Sequence, residues 1–305
     1  MSKKRLITRS DFDGLVCAVL LKEMDLIEDI KFVHPKDMQD GIIEVNGNDI
    51  STNLPYVEGI GLAFDHHLSE TIRNEKKENH IIDPDAPSAA RVVYDYYGGK
   101  KQFPMISDEM MEAVDKADAA WFTESDILDP KGWELLSFLM DARTGLGRFR
   151  DFRISNYNLM MDLIDYCKNH TIEEILELED VKERVTLFFS YKDQFYNQIE
   201  SNARVEGDVL VVNLKEEETI YPGNRFVKYA LYPDTKISVQ VIWGFKKQNT
   251  VFTVGKSIIN RSSDVNIGEI MLSYGGGGHK NAGTCQVAHE DADRVLDELL
   301  VKLQG

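Results

Sequence analysis

Short extended runs alternate with helical stretches through the first half of the chain, and that alternation limits its fold more than any other feature. Leu6-Ile7-Thr8 leads into a helix ending near Met24, and DIKFVHP (29–35) reads as a second strand. VNGNDISTNLP (45–55) carries a third extended segment and GIGLAFDHH (59–67) a fourth. Helices are predicted over 87–97, where Pro87 and Ser88 suit a first turn, and over 107–121. Strand and helix in alternation predict an α/β domain with a mostly parallel sheet and helices on both faces.

From about Asn156 to Asn202 the apolar positions recur at helical spacing only. VEGDVLVVNL (205–214) then turns to β-branched alternation, with strands following over 236–245 and 249–259 and helices over 265–275 and 292–303. The expected organisation is a first domain over 1–155, a helical connector over 156–203, and a smaller α/β domain with a mixed sheet over 204–305. A length of 305 residues suits two domains.

Composition narrows the partners. The formal net charge is −17, from 35 basic and 52 acidic side chains. Such a surface repels polyanions, so long duplex nucleic acid is not expected, whereas a short anionic substrate met by cations is. No apolar run is long enough to span a bilayer. The basic start is followed by an apolar stretch broken by Asp11 and Asp13, so no cleaved leader is expected. Three cysteines, Cys17, Cys167 and Cys285, lie far apart without a Cys-x-x-Cys, which suits free thiols in a reducing cytoplasm. A homodimer is compatible with all of this.

Open parallel sheets bind ligands beyond the carboxyl ends of their strands. Asp11 and Asp13 follow the first strand and His34 the second. Asp49 falls at or just after the third, and Asp65-His66-His67 follow the fourth. Asp115 and Asp118, three apart, share one helical face. Two neighbouring carboxylates repel unless a cation sits between them. Carboxylates and imidazoles converging on one crevice describe a site for divalent ions such as Mn²⁺, and two such ions can clamp the oxygens of a phosphoryl transfer. Taken singly, Asp-x-Asp-Gly is a common turn and an exposed aspartate is an ordinary solvated residue. Their joint order is what points to chemistry.

SDFDG (10–14), Asp49, FDHH (64–67) and DKAD (115–118) resemble the four motifs of the DHH phosphoesterase superfamily. That superfamily includes RecJ-type exonucleases, nanoRNases, cyclic-dinucleotide phosphodiesterases, exopolyphosphatases and manganese-dependent pyrophosphatases. The resemblance implies that Asp11 and Asp13 bind different metals, Mn²⁺ or Mg²⁺, with Asp49 bridging them. It makes His66 a ligand, places His67 near the substrate, and has Asp65 orient a neighbouring histidine. One of Asp115 and Asp118 completes a metal site, and the sequence does not choose between them.

One position departs from that pattern. Two residues before Asp11, where the family usually has a metal-binding histidine, stands Arg9. A guanidinium stays protonated and has no lone pair to give. Either His34 substitutes, or Arg9 replaces one cation's charge and holds phosphate, or the first site is weak. The expectation is one strong metal site and one weakened or rebuilt.

In the second half, GGGGHKNAGT (275–284) places Gly276, Gly277 and Gly278 before His279 and Lys280. Glycines let backbone N–H groups approach an anion, although a glycine run alone is more often a flexible loop. Upstream lie Lys256, Arg261, Ser262 and Ser263, and an arginine can grip phosphate with paired hydrogen bonds. This pairing resembles the DHHA1 domain that accompanies many DHH domains and implies contact with the substrate's phosphate or terminal nucleotide. The resulting expectation is a metal-dependent phosphohydrolase acting on short oligonucleotides or linear or cyclic dinucleotides. An exopolyphosphatase is the alternative within the class. A nucleotide-binding protein weakened in catalysis by Arg9 is the alternative outside it.

Overall fold

The computed structural model describes residues 3–304. Their backbone divides into two compact units, residues 3–121 with 130–187, and residues 122–129 with 188–304.

The first unit is built on a five-stranded sheet of β1 (Lys4–Arg9), β2 (Ile27–Val33), β3 (Asp49–Thr52), β4 (Leu62–Asp65) and β5 (His80–Ile82). The strand order is β2-β1-β3-β4-β5 and every pairing is parallel, as the alternation predicts. Side chains alternate across the sheet. Leu6, Ile50 and Phe64 face one core, while Ile7 and Ala63 face another with Val33, Met38, Leu54 and Tyr56. Helix Phe12–Glu23 is buried from Phe12 through Leu21, which explains why its sequence is apolar on every side.

The segment read as a connector is helical, but its greater part is not a linker. Leu159, Met160, Leu163, Ile164, Cys167, Ile172, Ile175 and Val181 are buried in the first core. Helical periodicity reports an apolar face without saying what covers it, so the sequence could not show that 156–187 belongs to the first unit. Residues 122–129 are displaced the other way. Phe122 packs on Phe226 with ring centroids 5.6 Å apart, and Lys192 Nζ donates to the Leu128 carbonyl at 3.0 Å.

The second unit carries a six-stranded mixed sheet of β6 (Ala203–Glu206), β7 (Val209–Asn213), β8 (Ile237–Trp243), β9 (Thr250–Lys256), β10 (Gly277–His279) and β11 (Ala282–Val287). The order is β10-β11-β9-β8-β7-β6, with only β7 and β8 parallel. One face is buried: Val209, Val211, Val239, Val241, Phe252 and Val254 pack beneath helices Ile267–Leu272 and Ala292–Leu303. Cys17, Cys167 and Cys285 are buried free thiols. No helix among the described residues is long and apolar enough to cross a membrane.

Candidate active site

In the first unit the polar residues gather at the carboxyl edge of the parallel sheet. The chain leaves β1 at Arg9 and turns into helix Phe12–Glu23, whose N-cap is Asp11, its Oδ1 accepting from the Gly14 N–H at 3.0 Å. Only glycine fits at 14. A Cβ there would lie 2.0 Å from the Arg9 carbonyl oxygen, so the Asp-x-Asp-Gly spacing reflects how closely helix and strand end approach. Asp13, on the first turn, is 2 % exposed and is held by the start of helix Ala89–Tyr97. The Ala89 and Ala90 N–H groups donate to its two oxygens at 3.0 and 2.7 Å.

Two residues from other elements meet Asp13. His66 follows β4, and Asp118 closes helix Asp108–Asp118. His66 Nδ1 lies 3.1 Å from the Ala86 carbonyl, which it reaches as a donor, and this leaves Nε2 facing Asp118 Oδ2 at 2.9 Å. Asp13, His66 and Asp118 each offer one ligand atom, all within 4.8 Å of one another. The electrostatics are those of a group assembled around positive charge. Burial, then the nearby Asp118, pushes the Asp13 carboxyl well above its ordinary range. Burial disfavours protonated His66, but Asp118 and Asp13 outweigh it and raise that imidazole to about 9. Asp118 is held low by His66 against the opposing effect of burial. An acid-imidazole-acid trio of this kind could hold a divalent metal, because the cation takes over the neutralising role that the protons now fill.

The expected ligands do not all join this trio. Asp11 is beside it but already occupied, its Oδ2 2.9 Å from Arg9 Nε and its Oδ1 3.3 Å from Asn53 Nδ2. Arg9 is therefore at the crevice, paired with an acid of the motif. Asp49 is not. It begins β3 rather than ending it, lies opposite Arg5 in the register, and takes Arg5 Nε and Nη2 at 2.9 and 2.8 Å. That places it toward the far edge of the sheet as a buried ion pair. The sequence carries no register, and it is the pairing with Arg5 that sets Asp49 at the opening end of β3 and not at or after its close. His34 caps helix Pro35–Gln39 by accepting the Lys36 N–H on Nδ1 and stands outside the trio. Asp115 also stands outside it, accepting from Ser88 Oγ at 2.7 Å and from Arg91 Nε at 2.9 Å. Of the acidic pair, Asp118 is the one at the cluster.

Asn53 is the residue the sequence reading missed. It follows β3 at the carboxyl edge, is 1 % exposed, and has a φ of 54°. Its Oδ1 is buried without a hydrogen-bond partner. The signal was present in Thr52-Asn53-Leu54-Pro55, since asparagine tolerates the left-handed conformation that a turn leaving a strand requires. Asp65 and His67 form the expected pair, with His67 Nδ1 2.8 Å from Asp65 Oδ1, while Asp65 Oδ2 is buried and unpartnered. Burial disfavours the charged His67 ring, yet Asp65 raises it overall.

In the second unit the glycine run is not a loose loop. Gly277, Gly278 and His279 form β10, the outer strand of the sheet, paired to β11. A Cβ on Gly276 would meet the Thr284 carbonyl oxygen at 2.1 Å, and one on Gly278 the Ala282 carbonyl oxygen at 2.3 Å. Close packing, not mobility, demands those glycines. His279 and Lys280 border an open cleft of about 300 Å³ with Asn266, Glu269 and Leu272. Arg261 Nε donates to the Ile258 carbonyl, Ser262 Oγ to Asn260 Oδ1, and Lys256 Nζ to the Ser263 carbonyl.

No family profile matches the chain, and no curated protein sequence does. Among solved structures it is similar to the pGpG-specific phosphodiesterase PggH from Vibrio cholerae, with 60 % identity, a TM-score of 0.88 and 99 % of each chain covered. CDC45 from Entamoeba histolytica aligns over 99 % of this chain and 96 % of its own at 10 % identity, with a TM-score of 0.49. A putative family II inorganic pyrophosphatase from Methanococcus jannaschii covers both chains fully at 13 % identity and a TM-score of 0.28. Likeness at those two levels bears on neither fold nor function.

Proposed function

The chain belongs to the DHH/DHHA1 phosphoesterase superfamily, and from that premise we propose that it hydrolyses the phosphodiester bond of a short guanine dinucleotide of the pGpG kind. It is a hydrolase of phosphoric esters. The substrate rests on one observation: 60 % identity over 99 % of both chains to a phosphodiesterase specific for pGpG. The acidic surface, with a net charge of −17, agrees with a short substrate rather than a long strand.

The first unit carries the chemistry in this reading, and the second binds substrate through Arg261, Ser262, the Gly276–Gly278 run, His279 and Lys280. Asp13, His66 and Asp118 would hold one divalent cation, Mn²⁺ or Mg²⁺, with the unpartnered Asn53 Oδ1 at the same edge of the sheet. When bound, the cation supplies Lewis acidity toward the phosphoryl oxygens and positive charge for the crowded carboxylates. Arg9 supplies a fixed positive charge where a second cation is usual, and its contact with Asp11 keeps it at the crevice. A guanidinium so placed can hold a phosphate oxygen but cannot activate water. Burial opposes the charged His67 ring, but Asp65 on Nδ1 favours it overall, and when so protonated the ring can give its Nε2 proton to the leaving oxygen.

The test is a substrate panel with Mn²⁺: pGpG, a cyclic dinucleotide, polyphosphate and pyrophosphate in parallel. Guanosine monophosphate from pGpG alone is the expected product. Orthophosphate from polyphosphate alone would replace this reading with an exopolyphosphatase. Tight pGpG binding without turnover would make Arg9 the mark of a binding protein.

A further inference from the structure

The acid excess of this chain breaks at one loop of the first unit, where ARTGLGRFR (142–150) holds three arginines and no acid. The loop follows helix Gly132–Met140 in two 3₁₀ turns, Ala142–Thr144 and Leu146–Arg148. It is fastened from within. Thr144 and Leu146 are each 3 % exposed, and Thr144 Oγ1 donates to the Phe138 carbonyl at 2.6 Å. Asp141 Oδ1 accepts from the Arg143 backbone N–H and from its Nε, at 2.9 and 2.7 Å.

Arg148 is held by backbone alone. Its Nε donates to the Gly145 carbonyl at 3.2 Å, and its guanidinium folds so closely over Gly145 that a Cβ there would lie 2.4 Å from Nη2. Gly145 also has a φ of 90°, a conformation that side-chain-bearing residues avoid. Both requirements select glycine, so the pose of the arginine is built into the turn. No carboxylate pairs with Arg148 among the described residues, and burial lowers its pKa with no nearby charge acting the other way. A guanidinium fixed in place and met by no acid is prepared for an incoming anion, and its fork matches phosphate with two parallel hydrogen bonds.

The loop lies at the crevice. Asp141, Ala142 and Gly147 border the same cavity of about 150 Å³ as Ser10, the residue before Asp11. Burial raises the Asp11 carboxyl, and the charges of Arg9 and Arg143 oppose that rise. In the reading above, the acid-imidazole-acid trio and Arg9 serve the phosphodiester. The other phosphate of the dinucleotide has no cation assigned to it in this unit.

We propose that Arg148, with Arg143 on the same loop, forms a phosphate-binding subsite for the 5′-terminal phosphate of the dinucleotide. The proposal rests on the dinucleotide reading above. A terminal phosphate monoester carries close to two negative charges at neutral pH, against one on the internal diester, so it is the better match for two guanidiniums. In a longer strand the corresponding phosphate is a diester with chain on both sides, so the subsite favours a short substrate.

Equilibrium binding by the full chain in EDTA, comparing pGpG with GpG, reads the subsite without turnover. The wild type is expected to prefer pGpG at least tenfold. Arg148→Met should reduce that preference to within about twofold of parity, and Arg148→Lys, which keeps the charge but loses the fork, should fall between. Arg150→Met deletes a charge two residues away and should leave the preference within about twofold of wild type. Arg148 and Arg150 are both exposed, so these variants do not disturb the core. Equal affinities in the wild type, no binding of either dinucleotide, or an unaltered preference in Arg148→Met overturns the proposal. So does an Arg148→Met variant that weakens pGpG and GpG equally, since the arginine would then hold the internal diester. An equal loss in Arg150→Met overturns it too, because the effect would be one of general charge. Absence of hydrolysis of any dinucleotide with Mn²⁺ would instead sink the functional reading, and the binding comparison would still decide this one.

Discussion

Arg9 Nε lies 2.9 Å from Asp11 Oδ2, so the first acid of the motif is paired with a guanidinium and not with an imidazole. The arginine brings its own charge to a position where a histidine would bring a lone pair. Arg9→His therefore should raise the metal content of the purified, Mn²⁺-loaded protein from about one ion per chain toward two. Elemental analysis decides it, and equal content in variant and wild type would remove Arg9 from the metal account.

Asp49 and Asp13 differ in what holds them, a guanidinium for the first and a helix N-terminus for the second. Asp49 is 1 % exposed and takes two donors from Arg5, which is itself partly exposed. Asp49→Ala strands that guanidinium and should lower stability by about 2 kcal/mol. Hydrolysis per folded molecule should stay within about twofold of wild type. A urea titration alongside a rate measurement checks both, and a hundredfold loss of rate with intact fold would return Asp49 to the site.

Asp13→Asn keeps an oxygen for one of the two helix N–H donors while deleting the charge. Activity should fall at least about a hundredfold, beyond what loss of an outer partner costs a metal site. Stability without metal should hold, because burial and Asp118 already disfavour the charge that is removed. A variant that retains its rate would exclude Asp13 from the chemistry.

Much of this was legible before any coordinates. Parallel order follows from strand-helix alternation, and Asp11, Asp13, His66 and Asp65 needed only their places after strand ends. Register was not legible. Asp49 and Asn53 are four residues apart on the same short strand segment, and only the pairing of Asp49 with Arg5 shows which lies at the carboxyl edge. Asp115 and Asp118 share a helical face, yet Ser88 and Arg91 claim the first and His66 the second, which are contacts between segments distant in sequence. Packing partners were equally hidden. The residues 156–187 advertise an apolar face, and that face could have served either unit.

The protonation of the trio gives a pH signature that separates metal-free from metal-loaded protein. Asp13 and His66 both take up protons more readily in the folded state than in the unfolded chain, His66 at about 9 against an ordinary 6.5. The native state then binds more protons than the unfolded one, so stability falls as pH rises. The His66 contribution is fully present below about 6.5 and lost as pH passes through about 9. A divalent cation needs both groups deprotonated, so its stabilising effect should grow over the same interval. Thermal unfolding in EDTA is expected to show a midpoint that drops between pH 6.5 and 9, with the gap to the Mn²⁺-loaded protein widening. His66→Gln should flatten the metal-free profile and shrink the gap. A metal-free midpoint that climbs with pH would mean that the carboxylates and the imidazole do not share their protons as this geometry requires.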